Sequence, residues 1–419
     1  DPLYEELYDV RKEAEAAGNF IEEDQTANIA ALQAKAAVHK GKLRDLLNLP
    51  HHDRHVFAAG RQHYTILSYE ACEDAFRDPQ TFSTRVSHHP NPANELTMGI
   101  LEMDGPMHRA YRRTIQPKFL MPEALGWWRQ RTVDSIVERL IERLSSRDRA
   151  ELNIDYCARI PVYAITTAIG MDGDMALKFR DAYLKSSGTG RVSMNEARAA
   201  SLTVQTLLLD LIEQRRQDAQ DDLISFLLKT KLMLPGETPR PLTDREIMTH
   251  CRLVMVAGGG TSWRQMGITL WALLSHPEQF EEVKANRDLL DAAIEEGLRW
   301  NPTAPIFSRL VEKDTVFHGM PMEEGAVIEL CLGAANRDPA RWDDPDRFDM
   351  HRPRRTNMAF GLGAHRCLGM NVARVEIASG INALLDAFPE LKLDPAAPAP
   401  FLTGGLEQRG ISGLPVLLR

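Results

Sequence analysis

The segment Phe360-Gly361-Leu362-Gly363-Ala364-His365-Arg366-Cys367-Leu368-Gly369 packs three glycines, an aromatic ring and two basic side chains around one cysteine. Glycine permits turns and close backbone approaches that a Cβ blocks. A thiolate on such a loop is reached by several backbone N–H groups, which favour its charged form. A large flat group could then lie against the loop with a metal on the sulfur. The apolar, helix-like run from Met370 to Leu385 follows directly. The loop therefore ends at a helix N-terminus, whose positive end also favours a thiolate.

Upstream segments carry further spacings. Glu296 and Arg299 stand three apart in the helix-like stretch Leu289–Trp300, on one face. Alone, such a pair reads as a surface ion pair worth little. His108 and Arg112 are four apart after Asp104-Gly105-Pro106, and Arg309 lies in Phe307-Ser308-Arg309-Leu310. Arg252–Leu274 reads as a long apolar helix interrupted by Ala257-Gly258-Gly259-Gly260-Thr261-Ser262. Three consecutive glycines cost a helix about 1 kcal/mol each relative to alanine. Either another backbone packs closely there, or the hydrogen-bond ladder opens locally and leaves room beside the helix.

In this register the cysteine segment matches Phe-Gly-x-Gly-x-His-x-Cys-x-Gly, and the chain resembles the cytochrome P-450 family over nearly its whole length. The resemblance implies haem b as cofactor, with Cys367 as axial ligand of its iron. Phe360, Gly361 and Gly369 would lie beside it on the loop side, Ala257 and Gly258 on the helix side. His108, Arg112, Arg309 and His365 would hold the two propionates, a task that suits the arginine fork. Glu296 and Arg299 match the family's Glu-x-x-Arg motif, followed by Asn301-Pro302. They would lock the chain under the haem with a third member, expected at Arg347, with Arg352 as the alternative. Arg109 and Arg113 read as solvated neighbours.

The family's oxygen-activating stretch runs Ala/Gly-Gly-x-acid-Thr-Thr/Ser. Ala257, Gly258, Thr261 and Ser262 match it, whereas Gly260 stands where an acid is usual. Proton delivery then falls to Thr261 with water in the glycine gap, to Ser262, or to a carboxylate from elsewhere, Glu407 being one candidate. Family-equivalent pocket positions are apolar: Met98, Ile100 and Leu101 before Asp104, and Val254 on the long helix. Ile306 and Phe307 follow the Glu-x-x-Arg helix, and Leu402, Thr403 and Leu406 lie near the C-terminus.

The expected fold class is mainly α with a small β region, a helix-rich triangular prism forming one domain over residues 1–419. Residues 1–50 look helical, Arg61–Leu67 alternates like a strand, and Ser68 caps a helix to Arg77. Ser83–Asp104, with His88 and His89, reads as a long irregular loop. Helical periodicity dominates from Pro106 to Trp300. Strands are expected around Phe307–Phe317, Val327–Leu332 and Gly413–Leu418.

The 419 residues are 43% apolar and 26% charged, as in ordinary globular proteins. A net charge of −9 without long single-sign blocks argues against nucleic-acid binding. No run approaches the ~18 apolar residues of a membrane span. The acidic start points to the soluble, bacterial-type branch without a membrane anchor. The five cysteines are scattered and form no C-x-x-C pair, which suits a reducing cytoplasm.

The resemblance implies a monooxygenase that inserts one atom of dioxygen into a C–H bond of a small apolar organic molecule, by hydroxylation or oxidative dealkylation. Electrons would come from an external ferredoxin-type iron–sulfur protein with a separate reductase. Arg112, Arg113, Lys118, Arg366 and Arg374 form the candidate docking surface. A peroxide-using or non-monooxygenase haem-thiolate enzyme is the alternative reading, and a haem-thiolate gas or redox sensor a further one.

Overall fold

Side-chain caps set four of the helix starts described below. The computed structural model describes residues 8–50, 60–87, 99–171 and 194–419, together with 175, 178, 179, 181, 182 and 185. Helix α1 (Val10–Ala16) opens on Asp9, whose side chain accepts from Lys12 N. Helix α2 spans Thr26–Gln33. Ser68 accepts from Ala71 N and opens α3 (Tyr69–Arg77), as its sequence predicts. Next come α4 (Gly105–Ile115), α5 (Asp134–Leu144) and α6 (Arg159–Ile169). They are followed by α7 (Met194–Gln217) and α8 (Leu223–Lys229).

The longest helix, α9 (Asp244–Leu274), begins eight residues before the apolar run suggests. A capping box of Thr243 and Glu246 starts it. Its first turns are polar, which hid them from a reading of apolar periodicity. Helices α10 (Pro277–Ala285), α11 (Leu290–Trp300) and α12 (Met370–Ala387) complete the set used below.

Among the described residues, fourteen short strands supply the β portion. Strands β1 (Val38–Lys40), β2 (His63–Ile66), β3 (Phe82–Ser83), β7 (Ile306–Val311) and β10 (Val327–Cys331) make a sheet ordered β1-β2-β10-β7-β3. Only the β2–β10 pairing is parallel. The expectation of helix throughout residues 1–50 fails at β1, where Val38 is buried and pairs with Ile66. The strand expected over Phe307–Phe317 is two, β7 and β8 (Thr315–Phe317), the latter turning into β9 (Met320–Met322). Strand β4 (Arg149–Glu151) and hairpin β5 (Lys231–Leu232) with β6 (Arg240–Pro241) break the expected helical stretch. Strands β11 (Lys392–Leu393) and β14 (Pro415–Leu417) join β4, while β12 (Leu402–Gly404) and β13 (Arg409–Ile411) form a hairpin.

From Ser262 to Leu270 every residue of α9 is buried. A helix buried all round lies at the centre of its fold. Residues Trp263, Met266, Ile268, Leu270 and Leu273 share one core with α5, α6, α11 and α12. This central helix and the loop before α12 are the two elements that carry the candidate site.

Candidate active site

The cysteine loop is built by its glycines. Gly361 and Gly363 have φ of 63° and 70°, which other residues rarely adopt. A Cβ at Gly363 would also stand 2.5 Å from the Phe76 carbonyl oxygen of α3. The Cys367 amide donates to the Phe360 carbonyl at 2.8 Å, and the Arg374 guanidinium covers the Phe360 ring at 4.6 Å. Gly369 caps α12, and a Cβ there would meet nothing within 4 Å. Burial raises the Cys367 thiol pKa, against the Gly369 N–H and the cations Arg112, Arg374 and Arg366. The N–H and the cations act in the direction the sequence reading expects, and a metal on the sulfur would favour the thiolate further. Cys367 is nonetheless exposed, so it faces an open recess rather than packed side chains.

The expected cations gather around an acid that the sequence reading passed over. His365 Nε2 lies 3.0 Å from Asp104 Oδ1, and Asp104 Oδ2 accepts from Ser83 Oγ at 2.5 Å and Thr84 N at 3.0 Å. Burial alone would raise the Asp104 pKa; the bonds from His365 and Ser83 outweigh it and bring it down to about 2. His108 stacks on His365 at 4.0 Å, and burial, His365 and Arg112 push its pKa down to about 4. Arg112 Nη2 donates to the Arg366 carbonyl at 2.7 Å, tying α4 to the cysteine loop. Arg309 is 9% exposed and donates to its neighbour's carbonyl, Ser308 O. Burial lowers its pKa to about 10, with Asp104 opposing.

These residues fit haem b. A buried guanidinium without a paired carboxylate is costly unless a ligand supplies one. The buried His108 Nε2 also makes no hydrogen bond. A flat group with two carboxylate arms would answer both, and Cys367 would hold its metal.

The lock beneath the loop has Arg352, not Arg347, as its third member. Arg299 donates twice to Glu296, both at 2.7 Å, and Arg352 Nε donates to Glu296 Oε1 at 3.1 Å. Arg347 turns outward to Asp349 with its side chain 63% exposed. It contributes its backbone carbonyl, which accepts from both Arg299 and Arg352. Sequence favoured Arg347 because it sits in the motif; the turn there points its side chain to solvent.

On α9, helical structure runs without a break through the glycines, which favours close packing over a local opening. A Cβ at Gly258 would collide with Ile165 Cδ1 of α6 at 2.4 Å, and one at Gly260 would stand 3.3 Å from Arg264 Nη1. Close packing against Ile165 explains Gly258, and at Gly260 only the flexible end of Arg264 comes near. Thr261 Oγ1 donates to the Ala257 carbonyl at 2.8 Å. Ala257 is exposed and Thr261 half-exposed on a helix otherwise largely buried, so this turn faces a hollow. The absent acid at 260 is not replaced by Glu407, whose Oε2 accepts from Asn19 Nδ2 at 3.4 Å.

A carboxylate that sequence reading missed does lie against Ser262. Glu376 of α12 is 1% exposed and its Oε1 makes no hydrogen bond. Burial pushes its pKa up to about 8, with Ser262 the opposing neighbour. Its signal was visible: a lone acid in the apolar run after the cysteine. The folded protein keeps this proton above the ordinary 4.5, where the unfolded chain has lost it. The stability contributed by the group therefore falls as pH rises toward about 8. We expect Glu376→Gln to flatten the fall of the melting temperature between pH 5 and 8; an unchanged slope would refute the assignment.

The apolar candidates divide. Leu101 and Phe307 are open, at 45% and 36% exposure. Ile100 is buried in the turn that sets Gly99 against Thr249 of α9. Val254 packs into the core of α6 and α8, and Ile306 and Leu406 share a cluster with Ile29, Leu43 and Leu67, so these three serve packing. Leu402 is half-buried and Thr403 is buried on the β12–β13 hairpin. Met98, His88 and His89 lie outside the described residues.

Among the described residues no helix is long and apolar enough to cross a membrane, and no cluster of His, Cys, Asp and Glu could hold a bare metal ion. A family model for cytochrome P450 matches residues 193–405. A C-19 steroid 1alpha-hydroxylase of Sorangium cellulosum is 31% identical over 355 residues, 82% of this chain and 87% of that protein. The solved structure of HmtT, involved in himastatin biosynthesis, is 27% identical with a TM-score of 0.75, covering 88% of this chain and 95% of that one. P450BioI, solved with an acyl carrier protein bearing hexadec-9Z-enoic acid, shares the fold at a TM-score of 0.81 over 94% of this chain and 99% of its own, at 24% identity. The family model spans the cysteine loop, the Glu-x-x-Arg helix and α9 together, and on these matches the chain belongs to the cytochrome P450 family.

Proposed function

We propose that this chain hydroxylates or oxidatively dealkylates a small apolar organic molecule, with Cys367 as iron ligand and Thr261 at the oxygen-binding turn. The observation that carries this reading is the pairing of an open Cys367 with a buried Arg309 that lacks a carboxylate. When bound, haem b supplies the oxygen-activating iron, made electron-rich by the sulfur.

The chain's own residues do the rest. Arg112, Arg309, His108 and His365 orient the carboxylate arms, and Asp104 holds His365 in place. Leu101 and Phe307 offer apolar surface that excludes water. Conversion of C–H and dioxygen to C–OH and water consumes two electrons and two protons. Thr261 Oγ1 presents one hydroxyl at the hollow, and Ser262 lies beside it on the same turn. Glu376, protonated near neutral pH, is a proton store behind Ser262. Thr261→Ala should therefore divert reducing equivalents from product to hydrogen peroxide; unchanged product per reducing equivalent would refute the role of its hydroxyl.

Electrons are proposed to arrive from a ferredoxin-type protein at the face of α4 and the cysteine loop. Arg113 and Arg366 are exposed there. Lys118 and Arg374 are partly neutralised by Glu123 and Glu295. Exposed Met107, Leu120, Met121 and Leu125 add apolar surface. The five cysteines are all free thiols, which supports a reducing, cytoplasmic setting. The test is a screen for compounds that shift the Soret band, followed by turnover with a surrogate ferredoxin and reductase. Electron-dependent product is expected; product with peroxide but none with ferredoxin, reductase and dioxygen would overturn the dioxygen route.

A further inference from the structure

We propose that Glu13 and Arg264 are positioning residues for the Gly260–Thr261 turn, with Glu13 supplying from α1 the carboxylate that position 260 lacks. The proposal rests on the reading of α9 as the oxygen-activating helix. Arg264 follows Gly260 by one helical turn and is 2% exposed. Its Nη1 donates to the Gly260 carbonyl at 2.5 Å, and its Nη2 to Glu13 Oε2 at 2.5 Å, across 251 residues of chain. The guanidinium also stacks over the Trp263 ring at 4.7 Å.

The seat is built for this side chain. A Cβ at Gly260 would come within 3.3 Å of Nη1, and a Cβ at Gly410 of β13 within 3.3 Å of the Arg264 Cγ. A Cβ at 260 would thus ask the flexible end of Arg264 to move by only a few tenths of an ångström. Helix α1 arrives in register. Val10 Cγ2 fills the space beside Gly410, 2.8 Å from where a Cβ would be. The Tyr8 ring meets Trp263 edge-on at 5.8 Å. Beyond α1 the chain holds the pocket hairpin, with Ile21 N donating to Gly404 O at 3.0 Å.

A buried arginine needs a counter-charge, and none stands on α9 beside it: Gly260 replaces the acid one turn back, where an i,i+4 pair would form. Glu13 is that counter-charge. It fixes the guanidinium, the guanidinium fixes the Gly260 carbonyl, and so the orientation of the peptide that leads into Thr261. An anchor for the N-terminal segment alone would not need the second arm on Gly260.

The test separates positioning from anchoring. Glu13→Gln should lower product per reducing equivalent about tenfold, the scale of one charge-assisted hydrogen bond, with haem content unchanged. Adding Gly260→Glu to Glu13→Gln places a carboxylate one turn before Arg264 and should restore most of the coupling, although the α1 carboxylate is gone. Without turnover, a double-mutant cycle of Glu13→Gln and Arg264→Met in thermal unfolding should show non-additive effects. Additive effects would overturn the pair. Wild-type coupling in Glu13→Gln, or no recovery in the double variant, would overturn the positioning role while leaving the monooxygenase reading intact.

Discussion

Cys367→His is expected to abolish the long-wavelength Soret band of the reduced carbon monoxide complex and replace it with that of a histidine-ligated haem. The reason is local. The Cys367 backbone is held by its bond to Phe360 O and by the turns at Gly361 and Gly363, so the substituted side chain projects from the same place. Oxygenation should fall by orders of magnitude, because imidazole donates less electron density to the iron than a thiolate. Spectrum and turnover are measured on the same purified sample, with haem content as control. A wild-type spectrum would remove Cys367 from the iron.

Glu296→Ala is expected to be the most destabilising single change among the residues discussed. Glu296 is 5% exposed and accepts from Arg299, Arg352 and the Asp349 amide, the last at 2.9 Å. Its removal strands a buried Arg299, 1% exposed, beside Arg352. Leaving a buried charge uncompensated costs about 3–5 kcal/mol, a large part of the roughly 5–15 kcal/mol that holds a typical domain together. Arg347→Ala, by contrast, removes an exposed pair worth less than about 1 kcal/mol and leaves the Arg347 carbonyl in place. Denaturant midpoints of the two variants check this directly. Equal losses would mean that the lock runs through the Arg347 side chain after all.

That contrast shows what sequence does and does not carry. The spacing of Glu296 and Arg299 on one helical face was legible, as were Cys367 and the cations at 108, 112, 309 and 365. A motif register places Arg347 in the right turn but says nothing of which way that turn points it. The glycines at 258 and 260 were legible as a departure from helix preference, yet the cause at 258 is long-range: Ile165 crowds it. Strand β1 was lost among helix-favouring residues because only its pairing with β2 makes it a strand. Asp104 and Glu376 escaped for a related reason. Burial and neighbours, not residue type, set their pKa values apart by several units in opposite directions.

The central claim is that this chain transfers an oxygen atom from dioxygen to a C–H bond, with electrons delivered from outside. Turnover under isotopically labelled dioxygen in ordinary water, with a surrogate ferredoxin and reductase, tests it most directly. The account predicts one labelled oxygen in the product, and none when the label is placed in water. Label arriving from water, or product formed without dioxygen, would contradict it.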